Sequence, residues 1–135
     1  MSPAEQPPPR AVTRGRVSNL HEGLLRGLTA DHGGLGTILA HRAYSADTAP
    51  GPIAFIDLVV LPPGTSIGVH RHTDNEETYV ILAGRGLMTL DGQPLAVRPG
   101  DVVPNLPYGQ HGLANISDND LHLLVFEVGP LGGRA

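Results

Sequence analysis

An all-β fold, a sandwich or barrel of short strands, is predicted for this chain by three features of its sequence. Short apolar or alternating runs follow one another from Gly36 onward, separated at regular intervals by Gly, Pro, Asn and Asp. Asp91-Gly92, set between Leu90 and Gln93, is a strong two-residue hairpin signal. Several runs are apolar at both parities, as in Tyr79-Val80-Ile81-Leu82, whereas a strand covered on one face should alternate. The 18 Gly and 13 Pro among the 135 residues sit mostly between runs, where turns need them.

Taken in order, residues 1–17 hold Pro3, Pro7, Pro8 and Pro9 and little apolar content, which predicts a loosely docked tail. Residues 19–28 are expected to form a short helix: Asn19 and Glu22 resemble a capping pair, and Leu20, Leu24, Leu25 and Leu28 share one helical face. Gly23 and Gly27 weaken that helix. Strands are expected at 37–44, 53–61, 67–72, 77–83, 86–90, 94–98, 101–103, 111–116 and 121–128. The turns between them include Pro62-Pro63-Gly64, Gly84-Arg85-Gly86, Pro99-Gly100 and Ser117-Asp118-Asn119-Asp120. This divides the chain into an N-terminal extension, 1–35, partly flexible, a barrel over 36–128, and a C-terminal tail, 129–135. The doubly apolar strand predicts cover from a second sheet or a partner subunit, and hence a homodimer.

Composition narrows the function classes. A formal charge of −4 and a pI near 5.9 argue against nucleic acid, whose binding needs a basic footprint. The absence of Cys excludes disulfides, thiolate metal sites and Cys nucleophiles. The polar, Pro-rich start lacks the apolar core of a signal peptide, and no apolar run is long enough to span a bilayer, so the expected setting is cytoplasmic with no membrane partner.

The chemistry concentrates in His70, His72, Glu77 and His111. Three imidazoles and a carboxylate suit a borderline divalent transition metal, provided they meet in space. His70 and His72 are two apart, so on a strand both point to one face. The polar turn Thr73-Asp74-Asn75-Glu76 resets the parity, so Glu77 points back toward the histidines, together with Tyr79 and Ile81, while Glu76 takes the opposite face.

Two motifs carry a resemblance to the cupin superfamily. Gly64, His70, His72, Glu77 and Gly84 satisfy every spacing of its first motif, and Gly100, His111 and Asn115 those of its second. One departure stands in a loop: Pro107 and Gly109 lie one residue beyond the family's Pro-x-Gly positions. Over residues 36–128 the chain resembles the small single-domain cupins. That resemblance implies a double-stranded β-helix, or jelly-roll cupin barrel. It also implies a ligand set of His70, His72, Glu77 and His111 around one divalent transition metal, Mn, Fe, Ni, Co or Zn.

Four protein ligands leave a six-coordinate metal open, the mark of a catalytic site. Lewis-acid chemistry of isomerase, cyclase or lyase type, or dioxygenase chemistry, is then expected on a small, oxygen-rich metabolite. The alternative is a cupin that binds a sugar or organic acid without turnover. Among non-ligands, Tyr79 and Tyr108 are the candidate catalytic groups. His41, Arg42 and Gln110 are candidate substrate contacts; His41 and Arg42 must face opposite ways, so only one enters the barrel. His122 shares a face with Leu124 and Phe126 and is assigned to packing. Asp57 interrupts the apolar run Phe55–Leu61 and needs a partner that the sequence does not name.

Overall fold

The turn residues do close strands. A computed structural model describes residues 17–47 and 51–129, and the tail expected at 1–17 lies almost wholly outside them, as does the C-terminal tail beyond residue 129. Ten strands are formed among the described residues: β1 Arg26–Thr29, β2 Thr37–Ser45, β3 Ile53–Leu61, β4 Ser66–Arg71, β5 Glu76–Ala83, β6 Gly86–Leu90, β7 Gln93–Val97, β8 Val102–Asn105, β9 Gln110–Ala114 and β10 Leu121–Val128. They make a six-stranded sheet, β1-β2-β3-β10-β5-β8, and a four-stranded sheet, β4-β9-β6-β7, with every pair antiparallel. This is a jelly-roll barrel of two facing sheets.

Between β6 and β7, Asp91 and Gly92 take φ values of 48° and 81°, the paired positive angles of the primed hairpin turn. β8 runs on through Pro104, which a ladder tolerates because β8 is the edge of its sheet.

The helix expected at 19–28 is not formed. Residues 19–22 make a turn instead: the Asn19 side chain accepts from the His21 N–H at 2.9 Å, so the capping residue closes an Asx turn with no helix behind it. Arg26–Thr29 then pairs with β2, Thr29 opposite Thr37. Leu24, Leu25 and Leu28 are exposed, so the helical face had no core to meet; Gly23 and Gly27 removed what propensity remained. Pairing with β2 satisfies the backbone that a short, isolated helix could not hold.

The core lies between the sheets. Inward parity on the six-stranded sheet selects Val59, Leu61, Tyr79, Ile81, Val103, Leu121, Leu123 and Val125, and the four-stranded sheet adds Ile67, Met88, Val97 and Leu113. Asn115, 1 % exposed, ties the end of β9 to this core. Its Nδ2 donates to the Leu61 and Asn119 carbonyls at 2.8 and 2.7 Å, and its Oδ1 accepts from the Ser117 N–H and hydroxyl. Asn115→Leu strands those buried groups, and a loss of about 2–4 kcal/mol is expected in urea unfolding.

Candidate metal centre

β4 and β9 lie side by side, with His70 directly opposite His111. His72 follows two residues after His70 and stays in line because its N–H donates to the Gly109 carbonyl at 2.9 Å. Glu77 reaches in from β5 of the other sheet, with Tyr79 and Ile81 on the same inward side. The structure thus brings all four residues together, their ligand atoms within 4.8 Å of one another. Glu76 pairs with Val128 on the outward parity, and Glu77 is the buried carboxylate at 8 % exposure.

The hydrogen bonds around the rings fix which nitrogen points inward. His70 Nδ1 sits 2.8 Å from the Gly68 carbonyl, which only accepts, so that nitrogen carries the proton. His72 Nδ1 donates to the Asn75 side-chain oxygen at 3.2 Å. Both Nε2 atoms therefore present bare lone pairs, and they lie 3.1 Å apart. Two lone pairs at that distance repel unless a cation lies between them. His111 Nε2 lies 3.2 Å from each of the other two.

The distances also select a coordination geometry. Ligands about 2.1 Å from one ion lie about 3.0 Å apart at right angles and about 4.2 Å apart across it, whereas a tetrahedron spaces all of them at about 3.4 Å. Glu77 Oε1 is 3.2 Å from His72, 3.0 Å from His111 and 4.0 Å from His70. Such spacings would suit a six-coordinate ion held by the four side chains better than a four-coordinate one. The residues present fit a six-coordinate divalent ion.

Electrostatics agree with that fit. Burial lowers the His70 pKa below the ordinary imidazole value, more than the Gly68 carbonyl raises it, so the ring is held neutral. Burial would raise the Glu77 carboxyl, but the His111 hydrogen bond and the neighbouring imidazoles outweigh it and keep the carboxyl below its usual range. In the metal-free protein the depressed His70 pKa gives a sign for pH dependence. As pH falls through about 6.5, the unfolded chain takes a proton that native His70 refuses, so acidification weakens the fold by up to about 1.4 kcal/mol per pH unit for this ring. Urea midpoints of EDTA-treated protein between pH 7 and 5 measure it, and replacing His70 with Gln should flatten the slope.

The other expected residues divide. Tyr79 is buried, its ring centroid 4.5 Å from that of His111, and its phenol lies beside the Glu77 carboxylate. Burial first, then the Glu77 charge, raises the phenol pKa well above its ordinary value, so it stays a donor. Tyr108 is 63 % exposed beside the loop that follows His72, its N–H bonded to the Thr73 carbonyl at 2.6 Å. Its φ of 66° occupies the third position of a turn closed by Gly109 N–H to the Leu106 carbonyl, with Pro107 ahead of it. Gln110 alternates with His111 and pairs with Arg71, so the structure does not bring it to the four ligands. His41 pairs with Leu58 on the outward face and packs against Gly23. Arg42 is the inward residue: it pairs with Asp57 in register, and its Nε and Nη2 donate to the two Asp57 oxygens at 2.9 and 3.0 Å. That is the partner Asp57 required. Phe55 lies under the guanidinium at 4.2 Å.

Three further residues contribute, two of them, Glu127 and His32, with no sequence signal of their own. Asn75 sits in a turn whose composition explains it. Glu127 faces Glu77 across the ladder and lies 3.8 Å from His72 Nδ1. His32 stacks on His70, with centroids 3.7 Å apart and planes 11° apart. It belongs to a strap, residues 30–36, that crosses β4 so closely that a Cβ on Gly68 would lie 2.0 Å from the His32 carbonyl oxygen, and one on Gly34 2.1 Å from that of Ser66. Only glycine fits at either place. The strap, Glu77 and the inner face of the six-stranded sheet line an open-sided pocket of about 160 Å³, with Asp31, His32, Arg42, Asp57 and Tyr79 among its walls.

Comparison with known proteins agrees with the barrel and its motifs. The Cupin domain family model matches residues 57–127, and the chain belongs to the cupins, as a small single-domain member. An uncharacterised protein of Methanocaldococcus jannaschii is 38 % identical over 71 residues, 53 % of this chain and 57 % of that protein. The oxalate-binding protein of Thermotoga maritima is 27 % identical over 114 residues, 84 % of this chain and 85 % of its own length. Among solved structures, a predicted oxalate decarboxylase of Thermotoga maritima superposes with a TM-score of 0.79 at 26 % identity, covering 83 % of this chain and 97 % of that one. A cupin 2 conserved barrel domain protein of Salinispora arenicola gives a TM-score of 0.66 at 24 % identity, covering 84 % and 88 %.

Proposed function

We propose that this cupin is a metal-dependent enzyme acting on a small, oxygen-rich metabolite, by isomerase-, cyclase- or lyase-type chemistry or as a dioxygenase. The observation that carries this reading is the close set of distances among His70, His72, His111 and Glu77, with Glu77 also lining a small pocket beside it. A divalent transition ion held by these four side chains would polarise adjacent oxygens of a bound molecule or, if redox-active, engage dioxygen. The chain's own residues prepare the site. Gly68 and Asn75 hold the tautomers of His70 and His72. Tyr79 packs beside Glu77 and His111, and the buried rings of Tyr79 and His111 keep water from that side. Tyr108 is the exposed phenol nearest the loop after His72 and is assigned to contact substrate. Arg42 lines the pocket and positions it.

Elemental analysis of protein purified without added metal tests this reading, followed by a turnover screen of small hydroxy, keto and carboxylic compounds. About one redox metal per chain favours the oxygenase branch, and Zn alone favours Lewis-acid chemistry. Metal and ligand bound without turnover would make the protein a sensor or carrier of a sugar or organic acid. No metal retained above trace would end the proposal. The reading includes a cytoplasmic homodimer, supported by Val80 and Leu82 facing away from the core; light scattering at micromolar concentration measures it. Among the described residues no helix is long and apolar enough to cross a membrane.

A further inference from the structure

Glu127 is a largely buried carboxylate in an unfavourable place. It lies opposite Glu77 on the inward face of the six-stranded sheet, and like charges directly opposite on adjacent strands destabilise a ladder. Both side chains are mostly shielded from solvent, so salt and water screen their repulsion poorly. The guanidinium that attracts Glu127, that of Arg42, already gives Nε and Nη2 to Asp57.

Two local features aim this carboxylate at His72. The β3–β10 register shifts beside it: Glu127 is opposite Phe55, but Val128 is opposite Ile53, and such bulges re-aim side chains. Two residues on, Gly129 at φ 136° brings the end of β10 against the turn between β4 and β5, where a Cβ would lie 2.8 Å from the Asn75 Cα. Glu127 Oε1 ends 3.8 Å from His72 Nδ1, too far for a direct hydrogen bond. Asn75 spans the gap. Its Oδ1 accepts from His72 Nδ1 at 3.2 Å, which leaves its NH₂ group for a second acceptor, and the Glu127 carboxylate lies beside that side chain.

Charge points the same way. Histidines ligate a metal as neutral imidazoles, so the four ligands carry one negative charge, that of Glu77. Glu127 supplies a second, while Arg42 and Asp57 balance each other. A divalent ion at the four ligands cancels both, and the repulsion borne by the metal-free fold becomes attraction to the ion.

We propose that Glu127 is a positioning residue of the metal centre: through Asn75 it holds the His72 ring with Nε2 toward the ion, and its charge completes the balance of a divalent cation. This rests on the metal reading above.

The test is competition for Zn(II) between a chromogenic chelator and the full chain, as wild type, Glu127→Gln and the double variant Asn75→Asp/Glu127→Gln, with urea midpoints of each EDTA-treated protein. Glu127→Gln should bind Zn(II) about tenfold more weakly. Its metal-free midpoint should equal or exceed that of wild type, because the repulsion with Glu77 is gone. The double variant returns a carboxylate to His72 Nδ1 from position 75 and should recover affinity to within about threefold of wild type. A lower metal-free midpoint in Glu127→Gln would make Glu127 a packing residue and overturn the proposal, as would a double variant no tighter than Glu127→Gln. If Glu127→Gln fails to fold, Glu127→Ala, which leaves space in place of the amide, carries the same expectations for affinity and for rescue by Asn75→Asp. A wild-type chain that holds no Zn(II) overturns the metal reading and this inference with it, whereas Zn(II) held equally by wild type and Glu127→Gln overturns this inference only.

Discussion

His111→Ala should abolish stoichiometric metal binding. His111 is fully buried, and its Nε2 is within 3.2 Å of His70, His72 and Glu77, so it is the ligand atom central to the set. Removing it leaves an ion one strong donor short and opens a cavity beside Tyr79. Loss of an outer-shell partner alone costs 10–100-fold in affinity, so loss of this ligand should exceed about 100-fold. Competition with a chromogenic chelator reads that loss directly. His111→Gln keeps part of the volume and separates lost ligation from lost packing: both variants should lose metal, but His111→Gln should retain more thermal stability. Metal content near one per chain in His111→Ala would mean that the four residues do not form the site.

Gly68→Ala should cost as much in order as in stability. The added methyl would lie 2.0 Å from the His32 carbonyl oxygen and 2.8 Å from the Gly34 nitrogen, and both are backbone atoms that cannot rotate away. Either the strap lifts from β4 or β4 bends, at a cost of about 1–3 kcal/mol. Lifting the strap removes the His32 ring from His70 and opens the pocket wall. The expected result is a lower urea midpoint together with faster metal loss to excess EDTA. His32→Ala should reproduce the faster loss with little change in the midpoint, because His32 is half exposed and makes its close ring contact with His70. Equal metal-loss rates in wild type and Gly68→Ala would show that the strap does not guard the site.

Much of the barrel was legible because its punctuation is chemical. Asp91-Gly92, Pro62-Pro63-Gly64 and Pro99-Gly100 can do little other than turn, and the runs between them became strands within a residue or two of their expected bounds. The N-terminal segment was not legible for the opposite reason. Its leucines repeat with a helical period, but period predicts a helix only if a core receives that face, and none does. Within the site, parity alone chose Glu77 over Glu76. Parity could say that His41 and Arg42 diverge, but not which turns inward; that depends on the β2–β3 register, which places Arg42 opposite Asp57. His32 was beyond reach altogether. Its contact with His70 depends on two glycines, distant in sequence, allowing two backbones to touch, and no local pattern encodes such a meeting.

The placement of the four ligands has a mechanical consequence. His70 and His111 belong to the four-stranded sheet, and Glu77 to the six-stranded one. An ion shared among them would act as a rivet between the two layers. Folding would then be coupled to ion supply: at free metal a hundredfold above its dissociation constant, the native state gains about 2.7 kcal/mol. A cell short of that ion would hold a looser barrel, and the protein's lifetime there would follow the metal supply.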